Sequence, residues 1–269
     1  MQLKDQDFYR LRDFMYNTFG INLAQKRMLI ESRLSHIATQ KGFDDFSAYI
    51  ESIMSDPTGK ELSILVSKLT TNFTYFMREE QHFDFMRRVA LPEIMPTIRD
   101  NNLCIWSAGC SSGEEPYTIA MTLDEYFGES MPRLDKKILA TDISANVLNA
   151  AAEAVYPFER LNKVPDAWTK KYFTKVKENV YQVAPRVKNE VIFRSFNLME
   201  TSFNFKKKFH IIFCRNVMIY FDSKTREALA QRFYEALERG GYLFIGMSET
   251  LINSNTSFKY ISPSIYRKL

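Results

Sequence analysis

Cysteine and histidine are scarce in this chain. Cys104, Cys110 and Cys214 are odd in number, widely spaced and without a CxxC pair, which speaks against a disulfide framework and against a zinc site. His36, His82 and His210 are equally scattered, so no metal site is expected. No apolar run approaches the ~20 residues that span a bilayer, and the first ten residues, MQLKDQDFYR, have no signal-peptide apolar core. Both absences read as a cytoplasmic protein without stable membrane insertion. A dominant charge is missing too: 36 basic against 32 acidic residues leave a net charge of +4. That balance favours an acidic partner surface but lacks the clustered positive charge of a dedicated nucleic-acid binder. No nucleic-acid partner is expected.

What is present is an ordinary soluble composition, 45% hydrophobic and 25% charged over 269 residues, enough for one large or two modest domains with a real core. The stretch Leu103–Met121, LCIWSAGCSSGEEPYTIAM, organises the rest. A short apolar run is followed by a turn bracketed by Gly109 and Gly113, and apolar residues then return at helical spacing. Such a turn at the carboxyl end of a parallel strand is where α/β sheets bind nucleotide-like ligands. The pattern G-x-x-x-G lacks the third glycine of the dinucleotide fingerprint and the Gly-Lys-Ser/Thr of a phosphate-binding loop. Glu114 and Glu115 occupy the helix start, where they would repel a pyrophosphate. They suit a ligand that brings a cationic amino group, such as the methionine end of S-adenosylmethionine. Acidic residues there also simply complement the helix dipole, and from this stretch alone the two readings stay open.

Residues 1–90 read as helical. Phe8, Leu11, Met15 and Phe19 follow helical spacing after the capping candidates Asp5 and Asp7, with Gly20 as the stop. A second helix over about Gln25–Lys41 carries Lys26, Arg27, Arg33, His36 and Lys41 opposite its apolar side, with only Glu31 opposing. A charge run of this kind is usually a solvated face, and it also suits docking to an acidic partner helix. Asp44 and Asp45 open a third helix through Met54, Asp56-Pro57-Thr58-Gly59 forms a turn, and Glu61–Leu69 is a fourth helix. Residues 91–102 are expected to be a linker.

From 103 to 269 the pattern alternates. A second strand, Ile138–Thr141, ends at Asp142, which is placed either to accept both hydroxyls of a ribose or to cap the helix that follows, with Ser144 as a further cap. Residues 156–190 interrupt the alternation, with Val180–Val183 facing Val187–Phe193 as a candidate hairpin. The wound sheet then resumes with Val191–Phe196, His210–Cys214, the helix Lys224–Glu238, a Gly240-Gly241 turn, Tyr242–Met247 and a final strand pair near Phe258–Lys268. Polar clusters Arg215–Tyr220 and Gly246–Glu249 follow the later strands.

Five ordered motifs, LTTNFTYFMRE (69–79), WSAGCSSGEEPYTIAM (106–121), ATDIS (140–144), FCRNVMIYF (213–221) and GYLFIGMSE (241–249), resemble the CheR family of chemotaxis receptor methyltransferases over nearly the whole chain. These are protein-glutamate O-methyltransferases. The resemblance implies an all-helical amino-terminal domain ahead of a Rossmann-like α/β methyltransferase domain that carries a small β-subdomain and binds S-adenosylmethionine, releasing S-adenosylhomocysteine. By motif, Asn72, Thr74 and Arg78 would reach the cofactor from the first domain. Glu115 would hold its amino group, Asp142 its ribose, and Asn197, Leu198, Arg215 and Asn216 its adenosine and methionine portions. Arg78 and Tyr220 would line the methyl-transfer site. The implied partner is the cytoplasmic helical region of chemoreceptors, met by Lys26, Arg27 and Arg33.

Two departures stand out. Phe173–Val183 is short and has no glycine, where some family members have a glycine-containing loop that grips a peptide at a receptor's end, so a tether is not expected. His36 and Thr39 stand where related sequences can have arginine. The enzyme is expected to act as a monomer.

A glutamate acceptor is already anionic at neutral pH, so no general base is required. Two rivals remain. Asn216–Tyr220 loosely matches the Asn-Pro-Pro-Tyr signature of nucleic-acid amino methyltransferases, but Val217 and Met218 replace both prolines. A nucleotide-sensing interaction module is the other, and Arg78, Asp142, Asn216 and Tyr220 together argue against it.

Overall fold

The computed structural model describes residues 2–56, 59–70, 73–128, 130, 134–252 and 255–269. Pro57, Thr58 and Asn72, each part of an expectation above, lie outside the described residues.

The chain opens with four helices, α1 (Asp5–Phe19), α2 (Arg27–Gln40), α3 (Phe46–Met54) and α4 (Lys60–Leu69). Gly20 ends α1 at φ 70°, with its amide on the carbonyls of Met15 and Tyr16, the left-handed stop that glycine adopts without a Cβ penalty. Asp5 and Asp7 do not cap this helix; they lie in its first turn behind Lys4. Asp7 is buried and accepts from the Ser47 hydroxyl at 2.7 Å, which ties α1 to α3.

Residues 81–97, expected partly in a linker, are helical: α5 (Gln81–Phe85), a π-turn over Met86–Ala90, α6 (Leu91–Ile94) and a 3₁₀ turn over Met95–Thr97. Their apolar residues Phe83, Met86, Leu91 and Ile94 are buried in the same cluster as Ile105, Ile138 and Phe213 of the sheet. The segment covers the sheet because its apolar stripe continues past Pro92, which comes just after the π-turn.

The main sheet has the order β6-β2-β1-β7-β8-β10-β9, with β1 (Ile105–Ala108), β2 (Ile138–Asp142), β6 (Val191–Ser195), β7 (Phe209–Cys214), β8 (Leu237–Ile245), β9 (Lys259–Ser262) and β10 (Ile265–Arg267). The strands from β6 to β8 are parallel, and β10 and β9 add antiparallel. All four residues of β1 are buried, as expected where helices cover both faces. Period-two alternation sends Trp106 and Ala108 to the face lined by α11 (Ser223–Ala236) and by the amino-terminal helices, and Ile105 to the face lined by residues 83–94 and α7 (Glu114–Phe127). The sheet's first face and the helical domain therefore share one continuous core. β8 begins earlier than the glycine pair suggested, because Gly240 and Gly241 form a bulge inside the strand. Gly240 has φ 84°, and the pairing to β7 slips by residues between Phe209 and Ile211.

Between α8 (Ala145–Glu153) and β6 lies the insert, with β3 (Val155–Pro157), α9 (Asp166–Tyr172), β4 (Phe173–Lys177), β5 (Val180–Val183) and α10 (Pro185–Lys188). β5 pairs with β4 and β3, not with Val187–Phe193. Pro185 starts a helical turn, and the apolar run after it joins β2 in the main sheet.

Candidate functional site

The wound sheet reverses direction between β1 and β7: β1 passes through α7 to β2 on one side, while β7 lies on the other. A crevice forms at such a switch point beyond the carboxyl ends of the strands. Here it is a cavity of about 460 Å³.

Each lining group arrives by a local rule. After β1, Gly109 turns at φ 84°, and an added Cβ would fall 2.4 Å from Cγ2 of Val217. Glycine is what lets the turns after β1 and β7 close on each other. Gly113, at φ 96°, then starts α7. Glu115 lines the cavity and accepts from the Ser107 hydroxyl at 2.7 Å. Glu114 turns away from it, toward the Ser112 hydroxyl at 2.7 Å and the Arg160 guanidinium at 3.6 Å. Burial raises the Glu115 carboxyl above its ordinary range, opposed by the Arg215 guanidinium.

At the end of β2, Asp142 accepts from the amides of Ser111 and Ser144, both at 2.9 Å. It therefore fixes the turn after β1 as well as the start of α8. Burial raises its carboxyl, and those amides resist the rise. Ser144 holds the N-cap position without a side-chain cap bond. The Ala145 amide, the first of the helix, donates to the Ser63 hydroxyl of α4 at 2.9 Å. With each oxygen taking one amide, the carboxylate keeps further lone pairs for a ligand.

Thr74, Arg78, Asn197, Leu198, Arg215, Asn216 and Tyr220 line the same cavity. The Asn197 side chain donates to the Thr18 carbonyl at 2.8 Å, and the Asn22 amide donates to the Tyr220 carbonyl at 2.9 Å. The helical domain thus supplies one wall and clamps the other. Arg78 donates to the Phe73 carbonyl at 2.7 Å. Of the expected docking residues, Lys26 is exposed just before α2. Arg27 pairs with Asp5 and with the Leu3 carbonyl. Arg33 donates to the carbonyls of Lys68 and Thr70 at 2.8 and 3.2 Å, and Thr70 borders the cavity.

Two carboxylates that hold lining residues, Glu79 and Glu249, were not singled out individually from the sequence. Glu79 takes Arg215 at 3.1 Å, Asn216 Nδ2 at 3.4 Å and the Met247 amide at 3.2 Å. Burial would raise its carboxyl, but Arg215 and the Met247 amide hold it below the usual range. Glu249 accepts from the amides of Asn216 and Ile219 at 3.0 and 3.1 Å, which shapes the loop leading to Tyr220. The sequence signals were the place of Glu79 at the end of a motif and that of Glu249 in the polar cluster Gly246–Glu249 after a late strand. Beside Glu79, the buried His82 is held down to about 4 by burial and by the charge of Arg215. Among the described residues, no group of three or more His, Cys, Asp and Glu side chains is placed to hold a metal ion, and no helix is long and apolar enough to cross a membrane.

Residues 6–70 match the family model described as the CheR methyltransferase all-alpha domain, and residues 72–267 match the CheR methyltransferase SAM binding domain. The chain is 46% identical to the chemotaxis protein methyltransferase of Borreliella burgdorferi, covering 100% of this chain and 96% of that protein. It is 35% identical to the chemotaxis protein methyltransferase of Salmonella typhimurium, covering 99% and 91%. Among solved structures, the glycopeptide N-methyltransferase MtfA complexed with (S)-adenosyl-L-methionine is similar at 16% identity and a TM-score of 0.37, covering 72% of this chain and 65% of that one.

Proposed function

The chain belongs to the CheR methyltransferase family of S-adenosylmethionine-dependent enzymes, and from that premise we propose that it methylates glutamate side chains of bacterial chemoreceptors. The products are glutamate methyl esters and S-adenosylhomocysteine, and the physiological role is sensory adaptation in chemotaxis. The observation that carries this reading is the convergence on one cavity of Arg78, Glu115, Asp142, Arg215, Asn216 and Tyr220 from distant parts of the chain.

The cavity suits the cofactor chemically. Glu115 supplies a carboxylate for an ammonium, and Asp142, held by two amides, keeps acceptor capacity for a ribose diol. Phe196, Leu198 and Phe221 give apolar wall for a base. When bound, the cofactor supplies an electrophilic methyl group on a sulfonium.

The acceptor glutamate is anionic at neutral pH, so the residues of this chain have to orient rather than deprotonate it. Arg78 and Tyr220 line the cavity; Arg78 would hold the carboxylate by charge-assisted bonds, and Tyr220 would donate one hydrogen bond to it. Phe73, Thr74, Tyr75 and Arg78 line the cavity beside the acceptor, and alignment of reacting groups contributes up to ~7–11 kcal/mol in favourable systems. Phe73 and Ile219, 61% and 52% exposed, flank the mouth where a receptor helix would lie. Lys26, Arg27 and Arg33 are the candidate contacts to acidic positions on that helix. The β4–β5 hairpin, with Lys175, Lys177 and Glu178 in place of a glycine loop, supports direct engagement without a peptide tether.

The test is incubation with radiolabelled methyl donor and membranes bearing chemoreceptors. Alkali-labile label on the receptor is expected, and alkali-stable label would reject a glutamate ester. The same assay on a receptor lacking its last several dozen residues should retain most of the activity.

A further inference from the structure

Glu79 ends the segment that roofs the cavity and has φ 56°, a left-handed conformation that residues with side chains seldom adopt. Four donors hold it there. Nε and Nη2 of Arg215 reach Oε2 at 3.2 and 3.1 Å, and Asn216 Nδ2 and the Met247 amide reach Oε1 at 3.4 and 3.2 Å. Arg215, only 5% exposed, also donates through Nη1 to Glu115 Oε2 at 3.2 Å. One buried guanidinium therefore serves two carboxylates, and the three groups carry a net charge of one negative unit.

Of the surrounding groups, Arg78 and Asp142 bring opposite charges and His82 brings none. Nδ1 of His82 lies 3.5 Å from Glu79 Oε2, but His82 is held down to about 4 and is neutral at pH 7. Arg78 faces the same cavity with its guanidinium on the Phe73 carbonyl, and Asp142 is bound to the Ser111 and Ser144 amides.

We propose that Glu79 is a positioning residue that, by sharing Arg215 with Glu115, leaves the Glu79–Arg215–Glu115 triad with a net negative charge toward the cofactor's ammonium. The inference rests on the reading of Glu115 given above. Without the Glu79 charge, Arg215 and Glu115 form a neutral pair, and an ammonium entering the cavity loses the net attraction of the triad. The same carboxylate fixes the Asn216 side chain and the Met247 amide, so it links the roof to the ends of β7 and β8.

The experiment is calorimetry on the full chain with two nucleoside thioethers, S-adenosylhomocysteine, which carries the amino-acid end, and 5′-methylthioadenosine, which lacks it. Glu79→Gln should weaken binding of the first about tenfold, the loss of roughly one charge-assisted bond, and change the second less than twofold. Glu79→Asp, which keeps the charge but draws it back by one methylene, should show a smaller selective loss. Equal weakening of both ligands, or of neither, would overturn the proposal. Glu115→Gln separates the two levels of the argument. A selective loss there with none in Glu79→Gln rejects the role of Glu79 alone, whereas no selective loss in Glu115→Gln rejects the reading of Glu115 itself. Should Glu79→Gln fail to fold, Glu79→Asp decides, a selective loss supporting the proposal and an equal loss on both ligands overturning it.

Discussion

Asp142 holds two backbone amides and still lines the cavity. From the sequence it was either a ribose acceptor or a helix cap, and the structure gives it two amides while leaving it on the cavity wall. Asp142→Ala is therefore expected to weaken binding of S-adenosylhomocysteine by one to two orders of magnitude, the ~1.5–3 kcal/mol of a charge-assisted contact, and to lower the melting temperature as well. Unchanged affinity by calorimetry alongside a lower melting temperature would reduce Asp142 to a turn holder. His82 makes a second residue-level prediction. Its folded value of about 4 lies below its ordinary 6.5, so between those pH values the unfolded chain binds the extra proton. Its contribution is fully present above pH 6.5 and is lost as pH falls toward 4, by on the order of 3 kcal/mol at most. The acid limb of stability measured by urea denaturation should be shallower in His82→Gln than in the parent over that window. Equal slopes would mean that His82 is not the group responsible.

At the scale of elements, α2 shows why a charge pattern read from sequence overstates what is free to dock. Lys26, Arg27 and Arg33 look equivalent along the chain, yet Arg27 is taken by Asp5 and Arg33 by two carbonyls at the end of α4, while Lys26 stands exposed at the helix start. Lys26→Glu should raise the KM for receptor with melting temperature and cofactor affinity unchanged. Arg33→Glu should raise it too and also cost about 1–3 kcal/mol of stability, because two carbonyl acceptors lose their donor. Steady-state kinetics and thermal melts on both variants check this, and a Lys26→Glu enzyme with unaltered KM at low salt would return the helix to a solvated face. The same lesson holds for α8, whose first amide is met by Ser63 of α4 while the serine at its own N-cap makes no side-chain cap bond.

At the scale of the whole molecule, the two family domains share one core rather than meeting across a thin interface. The cluster that holds Leu11, Leu34 and Ile50 also holds Trp106, Ile212 and Phe233, and Tyr16 reaches the Asp222 cap of α11 at 2.7 Å. Unfolding should accordingly be a single transition in which calorimetric and van't Hoff enthalpies agree. Two resolved transitions would show that the helical domain unfolds on its own. Much of this architecture was legible in the sequence. Helical spacing before residue 70, the strand-turn-helix at 103–121 and the later strand ends follow from local periodicity and from glycine, which act over a few residues, and the motifs proposed to meet the cofactor, apart from residues 69–79, lie at those strand ends. What only the tertiary structure decided is which charges meet. Glu79 gains its role only because folding brings it to Arg215, 136 residues away. Glu115 and Glu114 differ only in the side of α7 they face, Glu249 becomes the anchor of the loop before Tyr220, and β5 chooses β4 and β3 over the segment that follows it. Long-range pairing of buried charges depends on desolvation and on distances set by the whole sheet, and no local pattern of residues encodes either.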